Sequence, residues 1–486
     1  MVTHPDVATT EGAARPPLPP PRIDQKVAVA TVFVAVMFMN IMDATIVNTA
    51  LPTLGRDFRV APADVGGVAI GYLVSLAVFI PASGWLGDRL GPKRVLLGAT
   101  ALFTVASALC GAAGSFGELV AFRILQGVGG GMMAPVGMAL LYRTFPPAER
   151  VRASAVLTVP TTFAPALGPV LGGILVTDLS WRWVFYVNLP IGVAAITFGA
   201  RFLVPVGQQH PGPFDAAGFL LAGAGLGALM YGVSEGPQRG WGQPVIVATT
   251  AAGAAALVGL VVVELRRRLP LVDLRLLGDR LYRSANGVMV LGSVAFLGSL
   301  YTVALFFQDG RGLSALGSGL STFPEALGVM GGAQLSSRVL YPRVGPRRVM
   351  AGGLVLVAVA CALLGQIGAG TNLWWARAAL VLLGLAMAQV FVPAQAAAFA
   401  TISPAATARA STLFNAGRQI GAAVGVAVLS TVLVEVGITA HHGAVVVPHL
   451  AAYHWAFRLA ALVALSGAAV ALTVHDADAA ATRPGR

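Results

Sequence analysis

The chain has 486 residues, 56% of them hydrophobic and only 11% charged. Soluble domains carry about 25% charged residues, so a single water-soluble globule is excluded. The formal net charge of +12 invites a nucleic-acid partner, but the positions of the basic residues decide otherwise.

Residues 1–25 are polar and proline-rich (Pro16, Pro17, Pro19, Pro20, Pro21), without an apolar core leading to a small-residue cleavage site. They read as a disordered cytoplasmic tail rather than a signal peptide. Beyond them, charge-free runs such as 183–200, 216–234, 240–263 and 284–308 come close to or exceed the roughly 20 apolar residues that cross a bilayer as a helix. Apolar runs between charged or Pro/Gly-rich breaks predict fourteen helices, near 27–50, 66–86, 94–113, 118–142, 152–177, 183–204, 214–234, 244–264, 284–308, 318–338, 348–368, 373–400, 409–436 and 452–475. An even number returns both termini to one side. Lys and Arg favour the tails and the even-to-odd loops by about four to one, which places both termini in the cytoplasm. The basic charge is therefore topology, and no nucleic acid is expected as a partner. The segment 265–283 (LRRRLPLVDLRLLGDRLYR) is basic and amphipathic and is expected to lie along the cytoplasmic surface. Cys110 and Cys361 fall inside apolar runs and read as inert buried thiols.

The chain repeats itself weakly. GWLGDRLGPKR (84–94) and RVLYPRVGPRR (338–348) fall in register at an offset of 254, setting Arg89 over Arg343, Gly91 over Gly345, Pro92 over Pro346 and Arg94 over Arg348. The same offset sets Arg123 on Arg377 and Gly130 on Gly384, and a slip of three sets Gly168 on Gly425. Such symmetry in an apolar chain marks a transporter built from two related halves around a central site. The offset maps helices 2 to 5 onto 10 to 13, so two extra helices must separate the halves. The expected organisation is an amino-half six-helix bundle at 26–204, two inserted helices at 214–264, the linker 265–283, a carboxyl-half six-helix bundle at 284–475 and a cytoplasmic tail at 476–486.

Further motifs follow in order: MDATIVNTALP (42–52), FRILQGVGGGMMAP (122–135), APALGPVLGG (164–173), WRWVFYVNLP (181–190), DAAG (215–218) and STLFNAGRQIGAAVG (411–425). With GWLGDRLGPKR they resemble the major facilitator superfamily, specifically its fourteen-helix drug/proton antiporters. The resemblance implies an all-α integral membrane protein of the inner, cytoplasmic membrane, exporting amphiphilic drugs or other small molecules against protons by alternating access. It also implies a part in proton transfer for Arg123 and an exporter-specific role for Gly168, Pro169, Gly172 and Gly173. One departure concerns the second loop copy, where Pro342 stands at the position of Asp88, so the cytoplasmic gate is expected to depend on the first copy.

Among candidate site residues, Asp43 lies in an apolar helix about 12 Å below the outer surface. A carboxylate there costs about 3 kcal/mol to insert, which makes a purely structural role expensive. It is the expected proton carrier. Arg123 falls at similar depth on helix 4. A cation beside an acid stabilises its anion, so movement of Arg123 would switch proton release. Glu325 follows Pro324 in helix 10 and either binds a proton or cation or pairs with Arg418. Arg418, Asn415 and Gln419 form one polar face of helix 13 that either binds substrate or joins helices; Gln126 and Gln389 are further substrate-binding candidates. Gly84 and Gly91 permit a tight turn around Asp88, Arg89 and Arg94, and Asp88 can accept from the end of a helix in the other half as a gate latch. Trp181, Trp183 and Tyr186 read as an interfacial aromatic belt.

The only lysines, Lys26 and Lys93, lie outside any GxxxxGK phosphate loop, so ATP is not the expected energy source. No cofactor, metal site or enzymatic nucleophile is expected; the proton gradient drives transport, and the partners are a small-molecule substrate, protons and the lipid bilayer around a monomer. A dedicated exporter of one natural product, metabolite or lipid fits the same pattern.

Overall fold

The computed structural model describes residues 23–60, 65–205, 212–267, 270–368, 370–437, 439–442 and 445–482. Nearly all of the amino-terminal tail, and residues 483–486 of the other, lie outside the described residues. The long helices run in chain order as α1 (Gln25–Phe58), α2 (Gly67–Leu90), α3 (Pro92–Ala112), α4 (Phe116–Thr144), α5 (Arg150–Ile174), α6 (Asn188–Phe202), α7 (Ala216–Arg239), α8 (Pro244–Arg266), α9 (Arg280–Leu305), α10 (Ala315–Leu335), α11 (Pro346–Leu364), α12 (Leu373–Ala398), α13 (Thr407–Val436) and α14 (Leu450–Ala471). Among the described residues, twelve helices are long and apolar enough to cross a membrane; α5 and α10 stand outside that number.

Local chemistry starts several of these helices. Ser115 accepts from the Glu118 N–H while Glu118 accepts from the Gly114 N–H, a reciprocal cap that opens α4. Asp215, Asp279, Ser314 and Asn372 cap α7, α9, α10 and α12 in the same sense. Gly91 and Gly345 hold the backbone at φ 86° and 89°, where a side chain would be strained, and each hands the chain straight to a proline that opens α3 or α11.

The packing is helix on helix. α1 packs against α4, α5 and α6, α4 also takes α2 and α3, and α3 reaches α6. The same partners recur eight helices on: α9 packs against α12, α13 and α14, α12 also takes α10 and α11, and α11 reaches α14. The two groups meet where α5 packs on α10 and α12 and where α13 packs on α2 and α4. α7 seats against α2 and α13, and α8 against α7. Only 17% of the apolar window of α8 is buried within the protein, so its remaining surface suits lipid.

Two further features complete the fold. Within the linker, Leu274–Gly278 form a single short turn, Leu271 and Val272 are buried, and Asp273 accepts from Arg409 at 3.0 Å. Enough apolar surface in LVDLRLL finds protein to cover it, and the arginines are left at the edge. Between α13 and α14, strands Thr439–His442 and Val445–Pro448 pair as an antiparallel hairpin that the apolar-run reading passed over. Cys110 and Cys361 are buried free thiols.

Candidate functional site

The amino-terminal helices enclose a polar cluster around Asp43. α1 carries Asp43 to a point fully enclosed by its neighbours. From α4, Arg123 Nη1 donates to Asp43 Oδ2 at 2.5 Å and to Gln126 Oε1 at 2.7 Å, and Gln126 Nε2 donates to Asp43 Oδ1 at 2.9 Å. Arg123 and Gln126 are one turn apart, so both reach the same carboxylate. Asn188, the first residue of α6, donates to Asp43 Oδ1 at 2.7 Å and to Ser107 Oγ of α3 at 3.0 Å. The Arg123 guanidinium lies 4.2 Å from the Tyr72 ring centre and donates to the Val68 carbonyl of α2. Asp43, Arg123, Gln126 and Asn188 are each no more than 1% exposed. A buried charge pair is tolerable only when its remaining hydrogen-bonding capacity is used, and α2, α4 and α6 supply the partners here, with α3 holding Asn188. Chemically, the cluster is an acid whose release from its cation would expose a proton-accepting oxygen.

Within this cluster, Asn188 was not singled out from the sequence. Its signal was its place in WRWVFYVNLP, an amide in an otherwise apolar stretch. Asn188→Ala removes one charge-assisted bond worth about 1.5–3 kcal/mol and is expected to lower the melting temperature of the purified protein; an unchanged melting temperature would show that the bond holds nothing in place. Trp181, read as part of an interfacial belt, is instead buried and donates to Asp57 Oδ2 at 2.8 Å, whereas Trp183 is 48% exposed.

Glu325 on α10 is 3% exposed, and its Oε1 has no hydrogen-bond partner. It makes no pair with Arg418 among the described residues. Arg418 and Asn415 instead line a cleft between the two helix groups, whose walls also include Phe33 and Met37 of α1, Met138 of α4 and Gln395 of α12. Asn415 donates to Met138 Sδ at 3.6 Å across the group boundary. Gln395 was not singled out by sequence. Gln389, which was, turns away from the cleft and donates to the Gly332 carbonyl of α10 at 2.9 Å. Gln126 belongs to the Asp43 cluster, and Gln419 is half-buried and off the cleft lining.

At the arginine-rich end, Asp88 does not reach across to the other helix group: it accepts from Arg143 of α4 at 2.7 Å. Arg89 and Arg94 are exposed. The helix end reached from the other group is that of α12, and the residue reaching it is Arg150, which donates to the Phe399 carbonyl while Tyr142 stacks on the Phe399 ring at 4.4 Å. A cation at a helix C-terminus satisfies carbonyls that the helix leaves free. Gly84 makes the second crossing contact: a Cβ there would stand 2.7 Å from Thr412 Oγ1 and 3.3 Å from the Ala408 carbonyl of α13. Ser83 and Thr412 hydroxyls lie 3.3 Å apart beside it. The second loop copy, with Pro342 in place of an acid, borrows one from the tail, as Asp476 Oδ1 accepts from the Arg347 N–H at 2.9 Å. Gly84→Val is expected to part α2 from α13 and make the arginine-rich end at least several-fold more reactive to a thiol reagent at an introduced Thr407→Cys; unchanged labelling would show that the contact holds nothing closed.

In α5, a Cβ at Gly168 would collide with Thr45 Oγ1 and stand 3.1 Å from the Ile46 nitrogen, and one at Gly172 would collide with Thr49 Oγ1. The glycine face therefore rests on α1, immediately beyond Asp43. A Cβ at Gly173 would meet nothing within 4 Å.

Comparison with known proteins decides the family. A family model described as the Major Facilitator Superfamily matches residues 33–426 and 339–486. The chain belongs to the major facilitator superfamily. It is 34% identical over 415 residues to the multidrug resistance protein B homolog of Mycobacterium tuberculosis, covering 83% of this chain and 75% of that protein. It is 32% identical over 403 residues to the tetracenomycin C resistance and export protein of Streptomyces glaucescens, covering 82% and 74%. The fold is shared with the human organic anion transporter MFSD10 at TM-score 0.67 and 18% identity, covering 94% of this chain and 100% of that one. It is shared with the proton:xylose symporter XylE at TM-score 0.61 and 15% identity, covering 91% and 94%. This chain is thus a multi-pass membrane transporter of the superfamily with multidrug-resistance relatives, and its relatives and fold are those of transporters rather than enzymes.

Proposed function

We propose that the protein is a proton-coupled antiporter that exports amphiphilic small molecules across the cytoplasmic membrane by alternating access. The observation that carries this reading is the separation of two sites: a buried acid held by Arg123 within one helix group, and a cleft between the groups. Protonation of Asp43 from outside would free Arg123, and because α5 rests on α1 next to Asp43, the change would pass to the helix that meets α10 and α12.

In this reading α5 and α10 also cross the membrane, bringing the crossings to fourteen, with two six-helix bundles at 26–204 and 284–475 and α7 and α8 inserted between them. Packing partners that recur eight helices apart support it. The arginine-rich end faces the cytoplasm under the positive-inside rule, and the contacts of Arg150, Gly84 and Asn415 belong to an outward-facing state. Glu325 would serve as a second proton site. Export of a single natural product remains the second reading, favoured by the Streptomyces relative.

The test is transport by inside-out vesicles from a pump-deficient host, with an imposed pH gradient and dyes of different charge. Gradient-dependent uptake abolished by a protonophore is expected. Uptake indifferent to the gradient would overturn the coupling.

A further inference from the structure

We propose that Arg418 is an anchor for an anionic group of the transported molecule, so that acidic amphiphiles are the preferred substrate class. The inference rests on the export reading above and names the chemistry of its cleft. Arg418 is the one charged side chain lining the cleft among the described residues. Among the described residues it makes no hydrogen bond or ion pair. The two acids that could neutralise it are placed elsewhere: Asp43 is committed to Arg123, Gln126 and Asn188, and Glu325 stands on α10 and is absent from the cleft walls.

An unpaired guanidinium facing an apolar cavity is unfavourable until something negative completes it. Its planar fork matches the paired oxygens of a carboxylate, sulfonate or phosphate. Phe33, Phe391, Met37 and Met138 form the apolar walls that would take the body of such a molecule, the thioethers adapting to different shapes. Asn415 and Gln395 are uncharged and add no competing acid. The free volume is about 60 Å³, room for a headgroup or a few waters, so binding a larger body requires the helix groups to part further.

The full-length protein in detergent can be titrated with 8-anilino-1-naphthalenesulfonate and with N-phenyl-1-naphthylamine, which has the same aromatic body without the sulfonate. Binding is read by energy transfer from tryptophan, with ethidium as the cationic comparison. The wild type is expected to bind the sulfonate at least tenfold tighter than either other probe. Arg418→Gln should bring sulfonate and uncharged probe to within about twofold of each other, leaving the affinity for the uncharged probe unchanged. Gln395→Glu, which sets an acid in the same cleft, should weaken the sulfonate selectively and gives a second handle should Arg418→Gln not survive purification. A wild type without sulfonate preference, an Arg418→Gln protein that keeps it, or one that loses both probes equally would each overturn the anchor. Because no gradient is used, sulfonate binding without gradient-driven export would retain the anchor and sink the antiport reading. Gradient-driven export of ethidium with no sulfonate preference would do the reverse.

Discussion

Asp43→Asn is expected to abolish substrate-driven proton release, because an amide of the same shape cannot titrate. The cluster adds a second consequence. Arg123 would lose the carboxylate at 2.5 Å and remain 1% exposed, its charge moderated by neutral groups alone: Gln126, a backbone carbonyl, the Tyr72 ring and the new amide. Breaking a buried pair on one side costs about 3–5 kcal/mol, so the single variant should melt earlier than the wild type as well as fail to transport. The double variant Asp43→Asn/Arg123→Gln removes both charges and should recover much of the lost stability without recovering coupling. Thermal melting and proton release into lightly buffered solution on adding substrate separate the two effects. Proton release at the wild-type level from the double variant would remove Asp43 from the coupling path altogether.

Charged residues inside apolar runs stand out, which is why Asp43, Arg123, Glu325 and Arg418 could be named from the sequence. Their partners were less legible, and for different physical reasons. Asn188 is neutral, and nothing local distinguishes an amide that reaches across to another helix from one that caps its own. Arg150 sits at a loop where the positive-inside rule already accounts for a basic residue, so its reach to the end of α12 left no separate mark. Gln389 and Gln395 lie six residues apart on α12, about 120° apart in helical phase, and which of them faces the cleft depends on how α12 is rotated against α10. Asp88 was singled out with a partner across the groups and meets Arg143 of its own group instead, since the turn fixes where an acid sits but not which arginine the fold brings to it. The periodic apolar pattern carried the helices themselves, whereas the linker's mixture of Leu and Arg suits a membrane surface and a protein edge equally well.

Gly168→Leu is expected to reduce export to background. Any Cβ at this position meets Thr45 Oγ1 and Cβ and the backbone of Ile46, so the conflict is with a helix and not with a movable side-chain tip. Overpacking of this kind costs about 1–3 kcal/mol, and it is applied two residues from Asp43, the proposed proton site. Gly173→Ala is the internal control, since its Cβ would point into open space one residue from the equally crowded Gly172. It should transport at close to the wild-type rate. Pro169 adds a second lever, because it offers no N–H to the Pro165 carbonyl one turn earlier. Pro169→Ala supplies that donor, stiffens the helix that links α1 to α10 and α12, and is expected to leave substrate binding intact while protons leak without substrate. Proton flux into proteoliposomes, with and without substrate, reads all three variants. A Gly168→Leu protein that exports normally, or a Pro169→Ala protein that stays tight to protons and exports at the wild-type rate, would reduce this helix face to ordinary packing.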